Sequence, residues 1–269
     1  MTAERWALPD VEAALARCAA RNGQGIRCVI DVLGEEARDH DQAGRFVDAY
    51  AAVARTIAER GHDASIAVKP TALGAHVDTV TSERNLCRIA RTAAEMGIGF
   101  EVDMEGTPLV DHTIESVLVC VDDGLPVTLA LQAYLDRTPD DLELALDAGI
   151  SVRLVKGAYL GDTTEHGEIA DRFRRLVDRL LDGDAPFAVG THDPTLIRWI
   201  TKRAGAEGAA DQLELSFLMG LADGTKERLA ADGWRVAEYI PFGRDARAYV
   251  LRRERYLRAL EHEGLEPTP

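Results

Sequence analysis

The sequence of 269 residues has only four cysteines, Cys18, Cys28, Cys87 and Cys120, and no two of them stand in a CxxC spacing. Without such a pair or a histidine-rich neighbourhood, neither a structural zinc site nor a disulfide-stapled fold has a framework to build on. Long apolar runs are missing too. Nowhere do about 18 apolar residues follow one another, so no segment suits a membrane span, and the opening MTAERWALPDVEAALARC carries acids where a secretory signal would be apolar. Positive charge is in short supply, with 31 Lys+Arg against 46 Asp+Glu and a formal net charge of −15. A field of that sign argues against nucleic acid or stable membrane insertion. It leaves room for a local basic pocket that takes a small anion. The expected setting is cytoplasmic, including the inner face of the membrane.

Apolar content is ample at 46%, which excludes a disordered chain. It is concentrated in short runs at Cys28–Leu33, Ser65–Lys69, Gly99–Asp103, Val127–Leu131, Val152–Val155, Phe187–Gly190, Leu213–Phe217 and Val236–Ile240. Several have no polar face, as strands covered on both sides do. Helical spacing fills the intervals: Glu83–Met96, Pro139–Ala148 behind an N-cap at Thr138, Ile169–Leu181, Thr225–Ala231 and Ala246–Leu260. Residues 4–21 predict an extra helix ahead of the first strand, and Glu35 and Glu36 the start of another. Eight strands, each followed by a helix, predict an α/β fold: a closed (βα)8 TIM-like barrel in one domain, residues 1–269, with residues 1–24 as an N-terminal helical extension. An open doubly wound sheet is the rival, but no GxGxxG follows any strand.

In such a barrel the chemistry sits where the strands end. Lys69, Asp103 with Glu105, Gln132, Lys156, Thr191 with His192, and Tyr239 occupy those ends, and Arg153 lies inside the fifth run. Arg252 and Arg253 are adjacent on the last helix, and two guanidinium groups beside a pocket suit bidentate capture of a carboxylate or phosphate. The ordinary alternatives stand beside each assignment. An arginine pair on a terminal helix is often a solvated face, a histidine a satisfied structural residue, Gln132 and Tyr239 strand caps, and Leu218 and Met104 core.

The segments SIAVKPTALG, FEVDMEG, LALQAY, VRLVKGAY, VGTHD, ELSFLMG and YIPFGRDARAYVLRR, with DVLGEEA before them, resemble in order the strand-end motifs of the proline dehydrogenase family. The resemblance runs from about residue 28 to about residue 260. It implies an FAD enzyme that oxidises L-proline to Δ1-pyrroline-5-carboxylate, passing hydride from C5 to flavin N5, the first step of proline catabolism. By that resemblance Lys69, Arg252 and Arg253 hold the substrate carboxylate, while Tyr239 and Leu218 pack on its ring. Asp103 orders the substrate side, Arg153 stands by flavin N5, and Gln132 meets the pyrimidine edge. Met104, Val155, Lys156, Gly157, Ala158, Thr191 and His192 complete the FAD contacts, Gly157 and Ala158 through lack of bulk. The electron acceptor is then a quinone or a soluble carrier.

Some positions depart from the family pattern. Tyr256 stands where a glutamate is usual, Leu160 replaces an aromatic, and Ser216 and Met219 stand for Gln and Tyr. Two other functions fit the same barrel. One is a Schiff-base lyase or aldolase using Lys69 or Lys156, an amine whose pKa the two arginines would depress. The other is a barrel without turnover that binds an imino acid.

Overall fold

The computed structural model describes residues 5–34, 36–159, 161–243 and 246–262; the side chains of residues 248, 256 and 259–262 lie outside that description. The strands are β1 (Ile26–Val32), β2 (Ala64–Val68), β3 (Gly99–Val102), β4 (Thr128–Gln132), β5 (Ser151–Val155), β6 (Phe187–Gly190), β7 (Leu213–Leu218) and β8 (Arg235–Phe242). Each pairs in parallel with the next, and β1 pairs with β8 to close the ring. The helices are α1 (Val11–Asn22), α2 (His40–Arg60), α3 (Thr79–Glu95), α4 (Val110–Asp122), α5 (Thr138–Asp147), α6 (His166–Leu181), α7 (Pro194–Glu207), α8 (Asp223–Ala231) and α9 (Arg247–His262). The expected (βα)8 barrel is the fold observed.

Alternation along the strands sorts side chains to two sides of the wall. Outward residues such as Ile30, Ile66, Leu129, Leu154 and Leu215 join the main core under the helices. Inward residues of β1, β2 and β8 form a small apolar layer, Val29, Ala67, Ala237 and Tyr239.

The two terminal helices break the regular plan. α9 follows β8 but lies over the mouth of the barrel, where Tyr249, Arg252, Arg253 and Arg255 line the central cavity. The flank beside β8 and β1 is covered by α1 instead. It is tied there by Glu238, a fully buried residue on the outer side of β8, which takes Arg17 Nε at 2.5 Å, Arg21 at 2.9 Å and the Lys226 ammonium.

Three local expectations are corrected. The first helix begins at Val11 and not at residue 4, because Asp10 accepts from the Ala13 N–H as N-cap while Leu8 is held extended against β8. Glu36 does not start a helix: its φ is +59°, and α2 begins only after the Asp39 cap. Thr138 is not a cap but the first residue of α5, and its hydroxyl donates to the Gln132 carbonyl at 2.5 Å. Glu35, Leu160 and the tail Glu263–Pro269 lie outside the described residues, as does the Tyr256 side chain.

Candidate active site

The C-terminal ends of the strands and the underside of α9 enclose a cavity of about 640 Å³. Lys69 (after β2), Asp103 and Met104 (after β3), Gln132 (β4), Arg153 and Val155 (β5) all line it. So do Lys156, Gly157 and Ala158 beyond β5, Thr191 and His192 beyond β6, Leu218 (β7), Tyr239 (β8) and Arg252 and Arg253 (α9). Of the positions singled out from the strand ends and the last helix, all but Glu105, whose carboxylate turns to Thr71, face one space.

The polar heart of the site is a buried charge cluster. Lys69 Nζ lies 2.7 Å from Asp31, 3.0 Å from Asp103 and 3.1 Å from the Tyr239 hydroxyl. Tyr239 donates to the other carboxylate, Asp103, at 2.6 Å. Arg153 reaches Asp103 at 2.5 Å with one guanidinium nitrogen and Glu101 at 3.2 Å with Nε. The Arg153 and Lys69 cations stand 5.5 and 5.6 Å from the Tyr239 ring centre, within cation–π reach.

These partners decide the charge states. Burial alone would neutralise Asp103, but Lys69, Arg153 and the Tyr239 hydrogen bond outweigh it and hold the carboxyl well below the usual range. Burial would likewise lower Lys69, yet Asp31, Tyr239 and Asp103 hold it well above the ordinary lysine value. This corrects the expectation that the arginine pair depresses it: Lys69 is not set up as the neutral amine that attack on a carbonyl requires. Burial drives the Tyr239 hydroxyl up, with Asp103 adding to it. His192 is pushed down to about 3, by burial first and then by Arg253, Lys226 and Lys156. Its neutral Nε2 accepts from the Leu218 N–H at 2.9 Å, which ties β6 to β7.

Around the cluster the wall is held by hydrogen bonds among the neighbours. Gln132 takes the Tyr134 hydroxyl at 2.7 Å on its carbonyl and donates to the Glu105 carbonyl at 2.9 Å, with a second Nε2 hydrogen to offer. Glu105 accepts from both the N–H and the hydroxyl of Thr71. Gly157 has φ +132°, and a Cβ there would fall 1.3 Å from the Tyr134 ring. Its lack of a side chain thus admits the Tyr134 ring, a neighbour that the sequence reading did not name. Lys156 lies 3.7 Å from Asp193, the cap of α7.

Several residues of the site escaped the sequence reading. Asp31 sits inside an apolar strand and Glu101 inside another, and a charge in such a run has to find a partner. Applied as it was to Arg153, that rule would have found both. Tyr249 lies three and four residues ahead of the arginine pair, on the same helix face; Arg253 stands 5.1 Å over its ring, and Arg252 5.1 Å over that of Tyr159.

The cavity also carries buried polar atoms with no hydrogen-bond partner among the described residues: Ser216 Oγ, Tyr249 OH and Arg253 Nε. Unsatisfied donors beside a cationic cluster, facing an apolar wall of Met104, Val155 and Leu218, suit a ligand with an anionic end and a flat or apolar body. That donor set fits both a small amino-acid carboxylate and a flavin.

The proline dehydrogenase family model matches residues 14–255 of the chain. Proline dehydrogenase 1 of Bacillus subtilis subsp. natto is 29% identical over 260 residues, covering 93% of this chain and 85% of that protein. Proline dehydrogenase of Deinococcus radiodurans is 30% identical over 262 residues, covering 93% and 84%. Among solved structures, proline utilization A from Bdellovibrio bacteriovorus, inactivated by N-propargylglycine, superposes with a TM-score of 0.86 at 20% identity. A mutant of Bradyrhizobium japonicum proline utilization A gives 0.78 at 25%. Both cover 93% of this chain, which spans 32% and 30% of theirs, about a third of their length. The extent of the family match and the barrel it shares with those structures make this chain an oxidoreductase of the proline dehydrogenase family.

Proposed function

We propose that the chain oxidises L-proline to Δ1-pyrroline-5-carboxylate with FAD as its cofactor, the first step of proline catabolism. The observation that carries this reading is the meeting of Lys69, Arg252 and Arg253, far apart in sequence, at one cavity that also holds Arg153 and Gln132.

Lys69 and the two arginines would take the substrate carboxylate, whose anchoring aligns the ring carbon at the opposite end. Tyr239 and Leu218 flank the place of the ring. Asp103, kept ionised by its cations, is a poor proton acceptor near neutral pH. Its part is to hold Lys69, Tyr239 and Arg153 in fixed relation. Bound FAD supplies a two-electron hydride acceptor. Arg153, backed by Glu101, is a permanent positive charge in the cavity wall and would favour the reduced state of a flavin held beside it. Gln132, Met104, Val155, Lys156, Gly157, Ala158, Thr191 and His192 are the residues that would hold the cofactor. α9, lying over the mouth, would shield the reacting atoms from water.

The reading assigns the chain to one barrel domain with α1 as its extension. Electrons then pass to a quinone or a soluble carrier. None of the helices among the described residues is long and apolar enough to cross a membrane. A cytoplasmic enzyme that visits the inner membrane face where its acceptor is a quinone fits this reading. Anaerobic mixing of flavin-loaded protein with L-proline tests it. Loss of the oxidised-flavin absorbance supports the assignment, whereas protein that takes up no FAD, or flavin that proline leaves unchanged, overturns it.

A further inference from the structure

α9 carries the arginine pair, yet little of it is apolar: its described buried residues are Tyr249 and Leu257. Both belong to a cluster set apart from the main barrel core, together with Trp6, Ala7, Leu33 and Leu221. Trp6 is its largest member and only 1% exposed. The segment around Trp6 is fixed on both sides. Leu8 N–H donates to the Pro241 carbonyl and its own carbonyl accepts from Gly243 N–H, each at 2.9 Å, so the chain runs beside the joint between β8 and α9. Arg5 Nε donates to the Gly220 carbonyl at 3.1 Å. Gly220 has φ +79°, and a Cβ there would come 2.3 Å from the Arg5 carbonyl oxygen, so this close approach requires the glycine.

We infer that residues Arg5–Leu8 are a brace that docks α9 over the mouth, and that Trp6 is a positioning residue for Arg252 and Arg253. The effect on proline rests on the reading that these arginines hold the substrate carboxylate. With the brace in place the arginine pair is already gathered at the cavity. Without it α9 samples undocked positions, and apparent affinity falls with the docked fraction. Once substrate has drawn the helix in, the bound complex is the same, so turnover at saturation is kept.

The test uses the full-length, flavin-loaded protein and compares wild type with Trp6→Ala, Trp6→Leu and Trp6→Phe. Trp6→Ala is expected to raise the KM for L-proline about tenfold while kcat stays within about twofold. Trp6→Leu gives a smaller rise, and Trp6→Phe restores most of the wild-type value. Without substrate, amide hydrogen exchange across residues 247–262 speeds up in Trp6→Ala, and exchange in α6 does not change. Unaltered KM with unaltered exchange in α9 overturns the inference. So does a fall in kcat and flavin content with KM unmoved, or a Trp6→Leu protein that does not fold, which would make the segment part of the barrel core. Wild type that fails to oxidise proline would sink the proposed function instead, and the exchange comparison would still judge the brace.

Discussion

Asp31 and Lys69 meet at 2.7 Å in a fully buried pair at the ends of β1 and β2, and the carboxylate is held from behind by the Tyr50 hydroxyl at 3.0 Å. An ammonium has three N–H groups. Those of Lys69 are met by Asp31, Asp103 and Tyr239. A substrate carboxylate can therefore use Lys69 only if one partner yields. Tyr239 is the candidate: its contact is the longest at 3.1 Å, and its own hydrogen stays on Asp103.

Asp31→Asn is expected to keep the shape of this arrangement and remove its charge. Lys69 is now held above its ordinary pKa with Asp31 as the first of its favourable partners, so the substitution lowers that pKa. Loss of activity on the alkaline side should then begin at lower pH than in the wild type. The profile of kcat/KM against pH, measured in both proteins, checks this; superimposable alkaline limbs would contradict it.

His192 makes acid stability a readout of the site. Its pKa is about 3 in the folded protein, set by burial and then by Arg253, against about 6.5 when unfolded. Between those values the unfolded chain binds the extra proton. Stability is thus complete above about pH 6.5 and falls as pH drops, by up to about 1.4 kcal/mol per unit. His192→Gln should flatten that slope between about pH 6.5 and 4.5. Urea midpoints across the range decide it, and parallel curves for the two proteins would refute the assignment.

Gly157→Ala is expected to destabilise by about 2–4 kcal/mol, combining strain at φ +132° with overlap on the Tyr134 ring. In a Tyr134→Ala background the overlap disappears and the cost should shrink toward the strain alone. Denaturant unfolding of the four proteins gives both numbers. Equal costs in the two backgrounds would mean that the ring is not what the glycine admits.

The barrel was legible because its strands are short, apolar and evenly spaced, and Lys69, Asp103, Gln132 and Tyr239 were legible because polar residues interrupt those runs at one end. The fold-back of α9 was not, since an amphipathic helix after the last strand reads the same whether it flanks the wall or covers the mouth. Asp31, Tyr50 and Glu101 were missed for a related reason: each acts on a residue in another element, and only the parallel pairing of β1 with β2 brings Asp31 beside Lys69. Glu36 misled because acids favour helix starts, whereas here the chain turns through φ +59° first. Gly157 was recognised as special, but the neighbour demanding the space, Tyr134, belongs to a different loop.

On the proposed function, α9 delivers Arg252 and Arg253 to the same small anion that Lys69 faces. Rapid anaerobic mixing of flavin-loaded Arg252→Met and Arg253→Met proteins with increasing L-proline tests it most directly. Each charge-assisted contact is worth about 1.5–3 kcal/mol, so the proline concentration for half-maximal flavin reduction should rise about 10- to 100-fold in each variant, with flavin content unchanged. Half-saturation at the wild-type concentration in both variants would contradict the account.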